Sequence, residues 1–236
     1  NPFRLHMMPD HHATAPNGSP AAVRRQRSYE ARSLVVETGP LGGMAQPCGV
    51  IVLPPLGYED TCSYRPLRAL AEQLAVAGHV VLRPDWPGLG DAADAPRDED
   101  WLKTAVDVIV ACADSLRARG LTRLCLIGVR AGGLLALEAL QTGRVVAEDL
   151  VLWGTPASGS RFLREQRAFH KTAAGMFGQA PADAPALPEG AIEAGGFAYS
   201  AAQVAALQSI VPAPCPPPVR PGCCCCPARA LNRPRH

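Results

Sequence analysis

Apolar residues fall along this chain in two alternating rhythms, short continuous runs and longer stretches spaced for one face of a helix. Ser33 to Glu37, Gly49 to Leu53, His79 to Leu82, Arg123 to Ile127 and Asp149 to Trp153 are the short runs. Each is brief and β-branched enough to predict a buried strand. Between them, Leu67, Leu70, Ala71 and Leu74 stand at helical spacing ahead of Gly78. Leu102, Ala105, Ile109, Cys112 and Leu116 repeat that spacing ahead of Gly120. A glycine just past the last periodic residue is where a helix ends. Leu134 to Leu140 is apolar almost all round, so that helix is expected to be buried. Strands alternating with helices predict an α/β fold, a mostly parallel sheet with helices on both faces.

Outside this alternation the pattern fades. Residues 1–28 hold Pro, His, Asn, Gly and Ser without apolar period and read as a disordered leader, with the core spanning 29–158. From 159 to 211 a charged helix at Arg161 to Arg167 gives way to Ala, Pro and Gly, and Val204, Leu207 and Ile210 suggest one more short helix. This segment is expected to be a lid or cap. Residues 212–236 are rich in Pro, Cys and Arg, carry four consecutive cysteines at Cys223 to Cys226, and read as a disordered tail. A shifted reading frame in a GC-rich gene, or truncation, would explain that tail.

Composition changes the picture little. With 236 residues and 47% hydrophobic content, one globular domain is expected. The formal charge of +2 comes from the tail arginines, which argues against nucleic acid as a partner. Cys48, Cys62, Cys112 and Cys125 are scattered and read as reduced thiols. No signal peptide and no membrane span are apparent, so a cytoplasmic location is the expectation. His6, His11 and His12 lack carboxylate or thiol partners at ligand spacing, and adjacent cysteines do not suit zinc. No metal or cofactor is expected.

The candidate chemistry sits where strands end. Pro54-Pro55-Leu56-Gly57-Tyr58-Glu59 follows the second predicted strand, Asp85-Trp86-Pro87-Gly88-Leu89-Gly90-Asp91 the third, and Gly128-Val129-Arg130-Ala131-Gly132 the fourth. Ligands bind at the carboxyl ends of strands in such sheets. Cys62 and Ser63 lie before Pro66 and read as a helix N-cap, with a reactive thiol as the alternative. Asp98, Glu99 and Asp100 read as helix-capping acids.

These three loops resemble the α/β-hydrolase superfamily, nearest to its serine-aminopeptidase-like branch and the exosortase-associated hydrolases. The resemblance covers about residues 33 to 169. It implies an incomplete hydrolase fold, an ester, thioester or amide substrate, and Gly-x-Ser-x-Gly at the nucleophile elbow. Here the elbow tip is Arg130, a permanent cation that cannot attack a carbonyl. The resemblance places oxyanion donors at Gly57, Tyr58 and Ala131, and pocket residues at Asp85 and Asp91. After Arg130 the only histidines are His170 and His236, and neither follows a legible strand. Ser63, Ser158 and Ser160 are not on elbows.

Two functions compete with a third, bland reading. In the first, the resemblance implies that the chain is a hydrolase, with Cys62, Asp85 or Asp91 as residual candidates for chemistry. Otherwise it is a non-catalytic pseudo-hydrolase in which Arg130, Gly57 and Ala131 seat a carboxylate or phosphate, the partner being a small acyl or anionic molecule. Arg130 folding back onto Asp85 or Asp91 is equally compatible with the sequence. The bland reading is a truncated product with an unpaired apolar sheet edge after Trp153.

Overall fold

The computed structural model describes residues 13–14, 20–21, 23–31, 33–42, 46–90, 92, 100–177 and 187–213. The expectations for His6, His11, His12, Asp91, Asp98, Glu99, Cys223 to Cys226 and His236 lie outside the described residues.

A six-stranded sheet organises the molecule. Its strands are β1 (Val23–Glu30), β2 (Ser33–Pro40), β3 (Cys48–Leu53), β4 (Val80–Pro84), β5 (Arg123–Val129) and β6 (Asp149–Trp153). They lie side by side as β1-β2-β4-β3-β5-β6. The first two ladders are antiparallel, and β4, β3, β5 and β6 run parallel. A short antiparallel ladder also joins Ala13–Thr14 to Pro20–Ala21.

The helices follow from the pattern. The first, α1 (Tyr58–Val76), covers one face, where Leu67 and Ala71 pack on Val50, Val52, Val81, Ile127 and Val129. On the other face lie α2 (Trp101–Ala118) and α3 (Ala131–Gln141), closing the larger core around Ile51, Leu53, Leu82 and Leu126. All of α3 except Glu138 and Gln141 is buried, as its unbroken apolar surface predicts. Asp100 caps α2, accepting hydrogen bonds from the amides of Leu102 at 2.9 Å and Lys103 at 3.3 Å. Downstream come α4 (Gly159–Phe177), the hairpin β7 (Ile192–Ala194) and β8 (Phe197–Tyr199), and α5 (Ala201–Ser209). Ser200 and Gln203 form a capping box on α5.

The structure departs from the sequence reading at two places. The predicted leader boundary at residue 28 falls inside β1, which pairs with β2 along all eight residues. Its sequence, Val-Arg-Arg-Gln-Arg-Ser-Tyr-Glu, has no apolar face. The strand is held by its ladder and by ion pairs from Arg24 to Glu37 and Arg25 to Glu72. A polar edge strand of this kind also resists unwanted pairing. Helix α1 begins at Tyr58, so Cys62 and Ser63 lie inside it and are not its N-cap, and Pro66 sits within the helix. The N-cap is Gly57.

At the opposite edge, β6 pairs only with β5 among the described residues. Val151 and Trp153 share one face of β6 and are 46% and 60% exposed.

Candidate functional site

Two sharp bends lie side by side at the carboxyl ends of neighbouring strands. One follows β3 and turns at Gly57, with φ 63° and ψ −132°; the other follows β5 and turns at Arg130, with φ 53° and ψ −120°. Positive φ is free for glycine and strained for arginine. The Arg130 bend is fastened by its own amide donating to Trp153 O at 2.9 Å and by Gly133 N donating to Arg130 O at 3.0 Å. Gly132 explains the contact between the bends: a Cβ there would strike the carbonyl oxygens of Leu53 and Pro54. The predicted strand, tight turn and helix are therefore present.

The guanidinium of Arg130 leans across the gap toward α1. Its Nη2 donates to Glu59 Oε1 at 2.9 Å and to Glu165 Oε2 at 2.8 Å. Its Nε donates to both Glu59 oxygens at 3.2 Å, and Nη1 donates to Gly154 O at 3.0 Å. The fork is thus largely occupied by the protein's own acceptors. Burial works against its charge, but the bonds to Glu59 and Glu165 outweigh that and raise its pKa further. Bonds from Arg130, then from Arg161, hold the Glu165 carboxyl below its ordinary value. Gln166 completes the group, its Nε2 donating to Glu59 Oε1 at 3.1 Å. The partners are therefore Glu59 and Glu165, and not the aspartates considered from the sequence.

These residues help line a cleft of about 670 Å³. Pro55, Pro66, Leu67, Val129, Trp153 and Phe169 supply its apolar walls, and Tyr58, Glu59, Cys62, Ser63, Arg130, Glu165 and Gln166 its polar ones. Tyr58 stacks on Phe169 with ring centroids 5.3 Å apart. A hydrogen bond with Cys62 raises the pKa of the Tyr58 hydroxyl. Ser63 spends its hydroxyl on Asp60 O at 3.2 Å. The described histidine after the bend, His170, does not line the cleft.

The other predicted residues are placed as follows. Gly57 is the bend and Tyr58 the first helical residue beside the cleft. Ala131 is fully buried at the start of α3. Asp85, at the end of β4, does not line the cleft and faces Asp60 instead. Burial and the Asp85 charge push the Asp60 carboxyl up to about 6, against an opposing pull from Arg83. Among the described residues no group of three or more His, Cys, Asp or Glu is arranged to hold a metal ion, and no helix is long and apolar enough to cross a membrane.

Sequence reasoning missed Glu59, Glu165, Gln166 and Trp153 as site residues. Glu59 was visible at the end of the Pro54 loop, and Glu165 and Gln166 within the charged helix. Nothing in the local sequence ties the two segments together across 107 positions.

No family model matches this chain, and no curated protein matches it. Several solved structures do. An α/β serine hydrolase without lid from Xanthomonas campestris is similar at 20% identity over 58% of this chain and 63% of that one, with a TM-score of 0.46. A putative hydrolase from Agrobacterium vitis is similar at 16% identity over 80% of this chain and 73% of that one, with a TM-score of 0.49. A 2-hydroxy-6-oxo-6-phenylhexa-2,4-dienoate hydrolase from a Rhodococcus strain is similar at 18% identity over 58% of this chain and 48% of that one, with a TM-score of 0.44. The match spans less than two thirds of the Xanthomonas and Rhodococcus chains. None of these neighbours decides what this chain does, which rests on its own residues.

Proposed function

We propose that this chain is a small-molecule binding protein on a hydrolase-like scaffold that holds its ligand in the cleft without cleaving it. One observation carries the reading: at the bend where a hydrolase would present its nucleophile stands Arg130, latched by Glu59 and Glu165. A guanidinium in that place neither attacks nor relays a proton. What is left is a pocket of ligand size lined by both apolar and polar side chains, the usual form of a binding site. The ligand class is a compact, acyl-like or aromatic body. The anion-seat form of this reading requires a carboxylate or phosphate to displace Glu59 or Glu165, which makes it the weaker form.

The competing reading, an ester, thioester or amide hydrolase, draws on Cys62 and Ser63, which line the same cleft. Incubation with p-nitrophenyl esters and with a fluorophosphonate probe separates the two. The binding reading expects no turnover, no labelled residue, and saturable binding of medium-chain acyl compounds by calorimetry. Turnover that survives Arg130→Ala, with label at Cys62 or Ser63, overturns it.

A further inference from the structure

Three aromatic side chains, Tyr58, Trp153 and Phe169, share the cleft with an uneven set of charges, Glu59 and Glu165 against Arg130. The wall therefore carries more negative charge than positive. Both Glu59 oxygens accept from Arg130, and Oε1 accepts from Gln166 as well. Glu165 divides its oxygens between two arginines. Its Oε2 accepts from Arg130, whereas Oε1 accepts from Arg161, one turn earlier on α4 and outside the cleft lining. The Arg161 side chain is 58% exposed. An exposed pair at this spacing contributes little, so Oε1 can change partner at small cost. Arg130 is tied to Glu59, Glu165 and Gly154 O at once and has no such freedom. Bonds from Arg130 and then from Arg161 hold the Glu165 carboxyl below its ordinary pKa, which keeps it ionised at neutral pH. Aromatic surface flanks this acceptor. Phe169 follows Glu165 by one helical turn and stacks on Tyr58 with ring centroids 5.3 Å apart. Trp153 is held beside it through Gly154, whose carbonyl accepts from the same guanidinium that binds Glu165. Indole is the aromatic face that attracts a cation best.

Resting on the cleft-binding reading, we infer that the cleft takes an organic ammonium, a protonated amine on a compact aromatic body, which replaces Arg161 at Glu165 Oε1 and lies against Trp153 and Phe169. The ammonium brings donors to an ionised acceptor, the stronger kind of hydrogen bond, and its charge adds attraction to the indole. Glu59 neutralises Arg130 locally, so that guanidinium does not repel the head. A carboxylate would meet Glu59 and Glu165 with Arg130 already engaged. An alcohol could donate to Oε1 but brings no charge to the carboxylate or the rings.

The test uses the full chain at pH 7, where the amine is protonated. Phenethylammonium, phenethyl alcohol and phenylacetate are titrated calorimetrically against the native protein, Glu165→Gln, Trp153→Leu and Arg161→Ala. The ammonium is expected to bind about tenfold more tightly than the alcohol or the acid, and Glu165→Gln to abolish that preference. Trp153→Leu should weaken the ammonium about threefold more than the alcohol. Arg161→Ala should tighten the ammonium about threefold, because the competitor for Oε1 is gone, a gain that mere damage to the fold does not produce. Alcohol or acid binding as tightly as the ammonium, equal losses for ammonium and alcohol in Trp153→Leu, or no gain in Arg161→Ala overturns the ammonium assignment while the cleft reading stands. Failure of all three ligands, with medium-chain acyl compounds still bound, has the same meaning. Failure of those compounds too overturns both.

Discussion

The bends at Gly57 and Arg130 have nearly the same backbone angles and sit on adjacent strands, yet one is made by the residue best suited to positive φ and the other by a long cation. Among the described residues only Ala31 shares with Arg130 a positive φ without being glycine. Strain of this kind costs roughly 1 to 3 kcal/mol and persists where surrounding contacts over-determine it. At Gly57 the contact that matters is steric, since the Tyr199 hydroxyl fills the space a side chain would need. At Arg130 it is electrostatic, since Glu59 and Glu165 hold the fork. The pair shows that one backbone shape can be required by packing in one place and anchored by charge in another. The first turns differ too: α1 opens with Glu59 and Asp60, whereas α3 opens with no acid.

The largest effect is expected at the steric bend. Gly57→Ala combines positive φ with a collision and should lower stability by about 3 kcal/mol in urea denaturation. Adding Tyr199→Phe should restore part of that loss, and a double variant no better than the single would locate the strain elsewhere. Next in size is the proton dependence of the α1 turn. The Asp60 carboxyl titrates at about 6 in the fold against 3.8 ordinarily. Its raised value means that the folded state binds the proton more tightly. The charged form therefore costs stability above pH 6, and that cost fades as pH falls toward 4. Asp60→Asn should stabilise the protein at pH 7 by about 2 kcal/mol, after discounting for partial exposure, and by much less at pH 4. A pH-independent difference would rule out burial of the charge as its cause.

The electrostatic bend should respond more mildly. Glu59→Gln leaves Arg130 with Glu165 and Gly154 O and should cost about 1 to 2 kcal/mol, read from the thermal midpoint. Arg130→Gly relieves strain while leaving Glu165 to Arg161 and Glu59 to Gln166, so its net effect at pH 7 should stay within about 1 kcal/mol. In that variant Glu165 loses the main group depressing its pKa. In the native protein its stabilising share is present above the ordinary carboxylate value of 4.5 and is lost as pH falls through the depressed one. Arg130→Gly should flatten that acid limb, and an unchanged limb would mean that Arg161 alone governs Glu165.

What the sequence disclosed follows the range of the forces involved. Buried strands such as Val80 to Leu82 and the apolar helix α3 announce themselves through runs of hydrophobic residues, and the bend at Arg130 through flanking glycines. Strand β1 was invisible because its eight residues are held by a neighbour's ladder and not by their own apolar side chains. The start of α1 was hidden because Pro66 suggests a beginning, although the helix already runs from Tyr58. The latch was illegible because Glu59, Arg130 and Glu165 meet only after folding. In the local sequence their charges look like those of any solvated loop or helix face.

Trp153 carries one last consequence. The other two tryptophans, Trp86 and Trp101, are sealed inside at 1% and 4% exposure, whereas Trp153 is 60% exposed and forms part of the cleft wall. Fluorescence from the two interior indoles is insulated from solvent, leaving the red-edge, quencher-sensitive emission to the third. The molecule thus contains its own optical gauge of an occupied cleft, with no dye attached.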